Sequence, residues 1–443
     1  MNPSATASLS ARLSAAPGEP RLLAGWNATG RPADLSDHLG RYGPAPVPAG
    51  RGRRTSVPLV EAVEAAGLTG RGGAGFPTAR KLRAVAERRG RAVVVVNAME
   101  SEPASRKDQF LVAVAPHLVL DGAVLAAAAV GADTVHVCLP RDRTAPYQQL
   151  SAALDERRRA RLDPVRLRLH ALPHAYVSSE STSLVRWLNG GPARPQGSPP
   201  RTHERGVDRR PTLVDNAETL AHLALIARYG PDWYRQAGTP EEPGTTLVTV
   251  SGAVAAPGVL EVALGTPITT LLDRAAGPTD PLQAVLLGGF AGTWLPAARL
   301  DTPLARRDLA PLGAAPGAGV LVALPRAACG LGETARMLAY LAAHSARQCG
   351  PCHFGLPAVA EDFTTLATGR ADPGLPARLR RRTGLLPDRG ACRHPDGAAR
   401  LAASALSVFA DDVDHHLTHG PCPAAHQPPR VPVPPATPPE TWR

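Results

Sequence analysis

The stretch from Gly70 to Thr78 has the composition of an anion-binding loop. Glycine fills four of its first six positions, and without Cβ atoms the backbone N–H groups can converge on a ligand. Pro77 and Thr78 suit the first turn of a helix, and Lys81 places a cation on its next turn. These residues predict a phosphate site, with a glycine turn that binds nothing as the alternative.

Lysine is rare elsewhere in this arginine-rich chain. The chain has 49 Lys and Arg residues, of which only Lys81 and Lys107 are lysine. A compact ammonium and a planar guanidinium are not interchangeable at a tight site. We therefore expect a specific role for each lysine, and for Lys107 we favour a structural ion pair over a ligand contact.

Polar residues follow the β-branched run Ala92 to Val96, which is typical of a strand buried on both faces of a parallel sheet. The run leads into Asn97, Glu100 and Glu102. Ligands of open α/β sheets bind at the carboxyl ends of the strands. We interpret these side chains as ligand contacts, with a solvated loop as the alternative.

The same alternation of strands and polar clusters continues along the chain. A helical stretch from Phe110 to Ala129 precedes strands at Thr134 to Leu139 and Val165 to Leu169, which predicts a doubly wound α/β sheet. Two further polar clusters adjoin this sheet, and their candidate ligand residues are Tyr176, Glu180, Asn216 and Thr219.

The cysteines indicate metal or redox chemistry. Cys349 and Cys352 form a Cys-Gly-Pro-Cys motif, and Cys392 follows later. Six cysteines in 443 residues are not a disulfide framework. Ordinary helix-packing cysteines are the alternative. We expect Cys138 to be a core residue and do not expect Cys422 to be a ligand.

Composition divides the chain into segments with different patterns. Short β-runs with Pro-Gly and Gly-Gly turns indicate a small β-rich domain, and apolar positions spaced by three and four indicate helices after it. The expected segments are a flexible extension (1–55), an α/β domain (56–240), the β-rich domain (245–325), a helical domain (329–423) and a disordered proline-rich tail (424–443).

Charge and hydropathy exclude several classes of protein. The net charge of +11 raises nucleic acid as a partner, but the arginines are dispersed and only 4% of residues are aromatic. We therefore expect no nucleic-acid partner. The most apolar stretch is broken by Pro116, His117 and Asp121, and no export signal is visible. The expected protein is cytoplasmic and not transmembrane.

The order of these motifs resembles the NADH-oxidising flavoprotein subunit of respiratory complex I. It is also similar to the related subunits of NAD-reducing hydrogenases and formate dehydrogenases, over roughly residues 57 to 423. The resemblance implies a Rossmann-like FMN-binding domain, a small β-grasp-like, soluble-ligand-binding domain, and a C-terminal helical bundle for an iron–sulfur cluster.

The resemblance also implies roles for individual residues, and none of these is a catalytic side chain. Phe76 would contact the nicotinamide nucleotide, and Cys349, Cys352 and Cys392 would hold a 4Fe-4S or 3Fe-4S cluster. FMN would contact Gly70, Arg71, Gly72, Lys81, Asn97, Glu100, Glu102, Tyr176, Glu180, Asn216 and Thr219.

The implied function is an electron-transfer oxidoreductase. It would pass electrons from NAD(P)H or a reduced protein through FMN to the cluster, and then to a ferredoxin-like or membrane reductase partner. The alternative is a non-catalytic scaffold or assembly protein that has lost nucleotide binding and one or both cofactors.

Several positions depart from the family pattern. Met99 replaces an aspartate, Ser181 replaces a glutamate that the family uses at the nucleotide, and residues 198–201 lack the family's lysine and phenylalanine. These losses predict weak NADH binding, while Arg201 would favour NADPH. Ala346 stands at the fourth cysteine position, so a cube needs a replacement ligand such as His344, His353 or Cys329, or an open iron.

Overall fold

A four-stranded parallel sheet forms the centre of the first domain. The computed structural model describes residues 20–48, 53–197, 200–369, 371–434 and 442–443. The strands of this sheet are β1 (Ala92–Asn97), β2 (Ala132–Pro140), β3 (Arg166–Leu172) and β4 (Thr212–Asn216). They pair in the order β3–β2–β1–β4, with all neighbours parallel. The predicted doubly wound sheet is confirmed, with the valine run as its buried central strand.

Helices cover both faces of this sheet. They are α1 (Ala24–Thr29), α2 (Leu35–Tyr42), α3 (Arg53–Ala66), α4 (Thr78–Ala86), α5 (Lys107–Val114), α6 (Pro116–Val130), α7 (Thr144–Arg159), α8 (Ser181–Leu188) and α9 (Ala217–Arg235). Val94 and Val96 of β1 lie in the larger core with α6. Val93 and Val95 point the other way and share a smaller core with Leu184 of α8. The alternation of side chains along β1 therefore joins two helical layers.

The stretch predicted as one helix from Phe110 to Ala129 is two helices. α5 and α6 meet at 97° because Pro116 has no N–H to donate and restricts the residue before it, Ala115, to a non-helical φ of −139°. Within the described ranges, no single helix has the length and apolarity needed to cross a bilayer. α5 and α6 meet that test of length and composition only as a bent pair.

The described part of the N-terminal extension is ordered. Leu22 and Leu23 are buried in the first domain, and the N–H groups of residues 21–23 donate to the Glu261 carboxylate at 2.9–3.0 Å. The prediction of a flexible extension is therefore wrong for residues 20–48. Residues 1–19 and 49–52 lie outside the described ranges.

A mixed five-stranded sheet forms the second domain. Its strands are β5 (Thr245–Gly252), β6 (Gly258–Ala263), β7 (Leu282–Leu287), β8 (Thr293–Pro296) and β9 (Val320–Pro325), and its helices are α10 (Ile268–Arg274) and α11 (Arg306–Leu309). The strand order is β6–β5–β9–β7–β8, in which only β5 and β9 are parallel. The predicted small β-rich domain is confirmed. The β-runs of the sequence correspond to β5, β6 and β7, and the structure adds β8 and β9.

The described residues after this sheet form five α-helices: α12 (Gly330–Ala343), α13 (Leu356–Ala367), α14 (Leu375–Gly384), α15 (His394–Val408) and α16 (Ala410–His419). Their core continues into the β-rich domain, because Trp294 of β8 is buried among them and donates its indole N–H to Thr334 at 3.0 Å. The two domains therefore share one packed interior.

The described part of the proline-rich tail is also ordered. Val431 and Trp442 are each 1% exposed. The Glu333 carboxylate accepts the N–H groups of Arg430 and Val431 at 2.7 and 3.0 Å. The prediction of a disordered tail is therefore wrong for residues 424–434 and 442–443, while residues 435–441 lie outside the described ranges.

Candidate functional site

The glycine loop lies between the first two domains. Gly73 and Gly75 have φ angles of 101° and 62°, which favour glycine. A Cβ at Gly75 would come within 2.3 Å of the Arg306 guanidinium, which donates to the Gly73 carbonyl at 3.0 Å. Glycine is thus required here for contact with α11, a constraint that the local sequence did not reveal.

Arg71 and Thr219 bond to each other. The Arg71 N–H donates to the Thr219 hydroxyl at 2.9 Å. The buried guanidinium of Arg71 donates to the Tyr234 hydroxyl at 2.8 Å and to the Thr245 carbonyl at 3.1 Å. The Arg71 side chain therefore anchors the loop to α9 and β5, and only its backbone remains next to Gly70 and Gly72.

Lys81 faces a buried carboxylate that the sequence analysis missed. Its ammonium donates to Asp215 Oδ1 and to the Val214 carbonyl, both at 3.2 Å. Asp215 is 2% exposed, and its Oδ2 has no hydrogen-bond partner in the described part of the chain. A charged residue at the end of β4, directly before Asn216, was the available signal.

A cavity of about 560 Å³ opens beside this pair. This volume lies within the range of small-molecule sites. Phe76 is 44% exposed at the cavity, with the Arg80 guanidinium 5.5 Å from its ring centroid. By contrast, the space on the Arg71 side of the loop measures only about 20 Å³. The residues that line the large cavity include Phe76, Arg80, Lys81, Ser181 and Arg201.

Three of the predicted polar ligands act as helix caps. Glu100 accepts the N–H groups of Asp108 and Gln109 at the start of α5, both at 2.9 Å. Glu180 is the N-cap of α8, and Asn216 is the N-cap of α9. Their acceptor oxygens therefore satisfy the unpaired N–H groups of these helices.

Asn97, Glu102 and Tyr176 are brought together near the end of β1. The Asn97 amide donates to the Ser179 carbonyl at 2.9 Å. Glu102 accepts from the Tyr176 hydroxyl at 3.1 Å and from the Phe290 N–H at 3.0 Å. Burial raises the pKa of Glu102 to about 7. Glu102 therefore links the first domain to the β-rich domain.

Lys107 forms the structural ion pair that we predicted. It is 3% exposed, and its ammonium lies 2.8 Å from both the Asp108 and the Glu218 carboxylates. Burial alone would lower its pKa, but the two carboxylates outweigh burial and raise it.

The three predicted cluster cysteines converge. Burial raises the pKa of Cys352, and the adjacent Cys349 and Cys392 thiols raise it further. Burial also raises the pKa of Cys392 to about 11, with a contribution from the Glu180 charge. The three thiols thus lie within electrostatic reach of one another and of Glu180, although their sulfur atoms do not all lie within 4.8 Å of one another.

Ala346 offers no fourth ligand and is buried against Ala175, Val177 and Trp442. Of the suggested replacements, the Nδ1 atom of His344 accepts the Tyr176 N–H at 3.2 Å, and His353 packs edge-on to Phe354. Cys329 lies before the first residue of α12, at the far end of that 14-residue helix, which spans about 20 Å. The suggestion of Cys329 as a cluster ligand is therefore wrong.

Comparison with known proteins identifies the domains. Three family models match: "Nuo51 FMN-binding domain" over residues 63–225, "SLBB domain" over 247–289, and "NADH-ubiquinone oxidoreductase-F iron-sulfur binding region" over 326–416. The F subunit of the NADH-quinone oxidoreductase of Streptomyces coelicolor is 30% identical over 82% of this chain and 84% of its own length. The chain belongs to the family of NADH-quinone oxidoreductase F subunits.

A second relative and a solved structure agree. The F 2 subunit of the NADH-quinone oxidoreductase of Rhizobium meliloti is 27% identical over 91% of this chain and 96% of its own length. An NAD⁺-reducing [NiFe]-hydrogenase in the air-oxidised state matches with a TM-score of 0.79 and 30% identity, over 92% of this chain and 68% of that chain. The resemblance, the fold and the electron-transfer class predicted from the sequence are therefore confirmed.

The residues of this family member fit FMN and an iron–sulfur cluster. The large cavity brings the exposed ring of Phe76 together with the cations Arg80, Lys81 and Arg201, which suit a nucleotide base and phosphate groups. The convergent thiols are the ligands that iron–sulfur clusters take. The two cofactors are thus supported by both the family and the structure, and the scaffold alternative is not favoured.

Proposed function

We propose that this chain is an electron-transfer subunit that takes electrons from NAD(P)H or a reduced protein and passes them to a protein partner. Bound FMN exchanges electrons in pairs or singly, and an iron–sulfur cluster exchanges them singly. The relatives, a NADH-quinone oxidoreductase subunit and an NAD⁺-reducing hydrogenase, support this role.

The observation that carries the proposal is the contact between the two candidate sites. Tyr176 bonds through its hydroxyl to Glu102 and through its N–H to His344. On the same side, Arg186 of α8 donates to Gln348, the residue before Cys349, at 3.0 Å. These bonds connect α8, whose first residue Ser181 lines the cavity, to the segment that carries the thiols, and this connection supports electron transfer between the two cofactors.

We assign the binding roles from the positions of the side chains. Lys81 supplies the cation for the FMN phosphate next to the backbone of Gly70 and Gly72, and Asp215 positions Lys81 by accepting its ammonium at 3.2 Å. Phe76 provides a ring face for a nucleotide base. Asn97, Glu102, Tyr176, Thr219 and the caps Glu100, Glu180 and Asn216 act by positioning the surrounding backbone.

For the nucleotide donor we propose NADPH. Arg80 and Arg201 line the cavity, while Ser181 removes the acidic group that the family has there. Arg201 is exposed and can pair with a 2′-phosphate. Residues 198 and 199 of this loop lie outside the described ranges, so their position has no part in the proposal.

Stopped-flow reduction of the FMN-loaded protein tests the donor. We expect NADPH to bleach the flavin faster than NADH. Arg201→Ala should weaken NADPH binding by about tenfold to a hundredfold, the equivalent of one charged hydrogen bond, without affecting NADH. Arg205→Ala changes an exposed arginine of the same loop outside the cavity and serves as the control.

The alternatives give different results in the same experiment. If dithionite reduces the flavin but neither nucleotide does, the donor is a protein. If the purified protein remains colourless after reconstitution with excess FMN, the electron-transfer role is wrong and the scaffold alternative is correct.

We propose that three protein thiolates hold a three-iron cluster. Ala346 stands at the fourth cysteine position of the family pattern, so in Ala346→Cys we expect iron to rise from about three to about four atoms per chain. Ala346→Ser has a similar volume without a thiolate and is the control. Four iron atoms in the unaltered protein would contradict a three-iron cluster. In both variants the added side-chain atom would crowd Trp442, so we expect the free energy of unfolding to fall by about 1–3 kcal/mol.

A further inference from the structure

Cys329, His416 and Cys422 form a second group of potential metal ligands. Their ligand atoms all lie within 4.8 Å of one another. Cys329 precedes α12, His416 belongs to α16, and Cys422 follows α16. In the part of the chain that the structure describes, this is the only group of three or more His, Cys, Asp or Glu side chains with that spacing.

The spacing within the group matches a single tetrahedral ion. Cys329 Sγ and His416 Nε2 are 3.7 Å apart. Zinc–sulfur and zinc–nitrogen bonds of about 2.3 and 2.0–2.1 Å, at a tetrahedral angle, place sulfur and nitrogen about 3.6 Å apart. The two atoms therefore already stand at the separation that such an ion requires.

The imidazole of His416 is oriented for coordination. Its Nδ1 lies 3.1 Å from the Leu366 carbonyl, to which it donates, and this leaves the lone pair on Nε2 facing the two thiols. Histidine ligands of metals are commonly fixed in this way. The same lone pair accepts the Cys422 N–H at 3.1 Å while also facing Cys329 Sγ. A metal ion bound to Nε2 would replace the Cys422 N–H as the partner of this lone pair.

The Cys329 sulfur occupies a position that favours a thiolate. It is the N-cap of α12 and accepts the Gly332 N–H at 3.3 Å, and helix N-termini stabilise thiolates.

We propose that Cys329, His416 and Cys422 bind one Zn²⁺ ion, with water as the fourth ligand. Binding displaces a proton from each thiol, so two protons are released per ion. The ion would hold the segment after α16 against the start of α12, beside the Glu333 bonds to residues 430 and 431. The cluster cysteines lie beyond the opposite end of α12, so this site is independent of the proposed electron transfer.

Metal analysis of the full-length protein tests this site. We expect about one zinc per chain in the purified protein. Cys422→Ser, at a half-exposed position, should lose most of this zinc and keep its iron. Cys392→Ser should lose iron and keep its zinc. Cys138→Ser alters a buried thiol of β2 outside both groups and should change neither content.

Two further measurements test the site without changing any of its three proposed ligands. Co²⁺ added to the metal-free Cys392→Ser protein should give the thiolate-to-cobalt absorption of a tetrahedral site. Removal of zinc from the unaltered protein with a chelator should speed proteolysis of the segment that follows His419. Zinc below about one-tenth per chain after growth in zinc, no cobalt absorption, or a Cys329–Cys422 disulfide found by thiol counting would each overturn the proposal.

Discussion

The two lysines of the chain occupy opposite surroundings. Lys81 is 33% exposed and pairs with one carboxylate, Asp215, at the rim of the large cavity. Lys107 is 3% exposed and is held between two carboxylates in the core. Both side chains are cations within the family motifs, but only Lys81 is accessible to a ligand. Burial and the number of carboxylate partners, rather than residue type, separate a binding lysine from a structural one.

The largest effect should come from the buried lysine. Lys107→Met removes the cation that lies 2.8 Å from both the Asp108 and the Glu218 carboxylates, and leaves the more distant Arg71 beside Glu218. We expect the free energy of unfolding to fall by about 3–5 kcal/mol, measured by denaturant unfolding. Lys81→Met is the matched control, and an equal loss in both variants would remove the contrast between the lysines.

Glu102 extends the contrast to a buried acid without a cation. Its pKa of about 7 in the folded protein exceeds the ordinary 4.5. The folded state therefore binds the proton more tightly, and stability falls as pH rises from about 4.5 to 7. Between these two pH values the free energy of unfolding should fall by on the order of 3 kcal/mol. Glu102→Gln should remove this dependence, and parallel pH profiles of the two proteins would argue against it.

The smallest effect should come from the exposed lysine. In Lys81→Met we expect FMN to bind about tenfold to a hundredfold more weakly, because one charged hydrogen bond to the phosphate is lost. Stability should change by no more than about 1 kcal/mol, as for a partly exposed ion pair. Fluorescence titration with FMN measures the affinity. Unchanged affinity in a folded variant would show that the phosphate lies elsewhere.

The sequence predicted local features better than it predicted partners. The valine run was sufficient to place β1, because continuous β-branched residues suit a strand covered on both faces. The Lys107 ion pair was predicted as well, and one of its two partners, Asp108, is the next residue in the sequence. Glu100 and Glu180 were predicted as ligands, but a carboxylate that caps a helix and one that faces a ligand have the same sequence signature.

Contacts between distant residues were not visible in the sequence. Nothing near Gly75 pointed to Arg306, and nothing near Glu333 pointed to the N–H groups of residues 430 and 431. Proline-rich composition indicated disorder at both ends of the chain. Composition alone does not show that buried side chains such as Leu22 and Trp442 hold those segments in place.

The contact of Arg306 with Gly75 limits how this protein can be divided into fragments. An excised fragment ending before β5 would keep the parallel sheet but lose the guanidinium that braces the glycine loop, together with the Phe290 N–H that Glu102 accepts. Such a fragment should fold yet hold flavin poorly. The flavin-binding half is therefore not a portable module, and chimaeras with other redox proteins should keep the first two domains from a single parent.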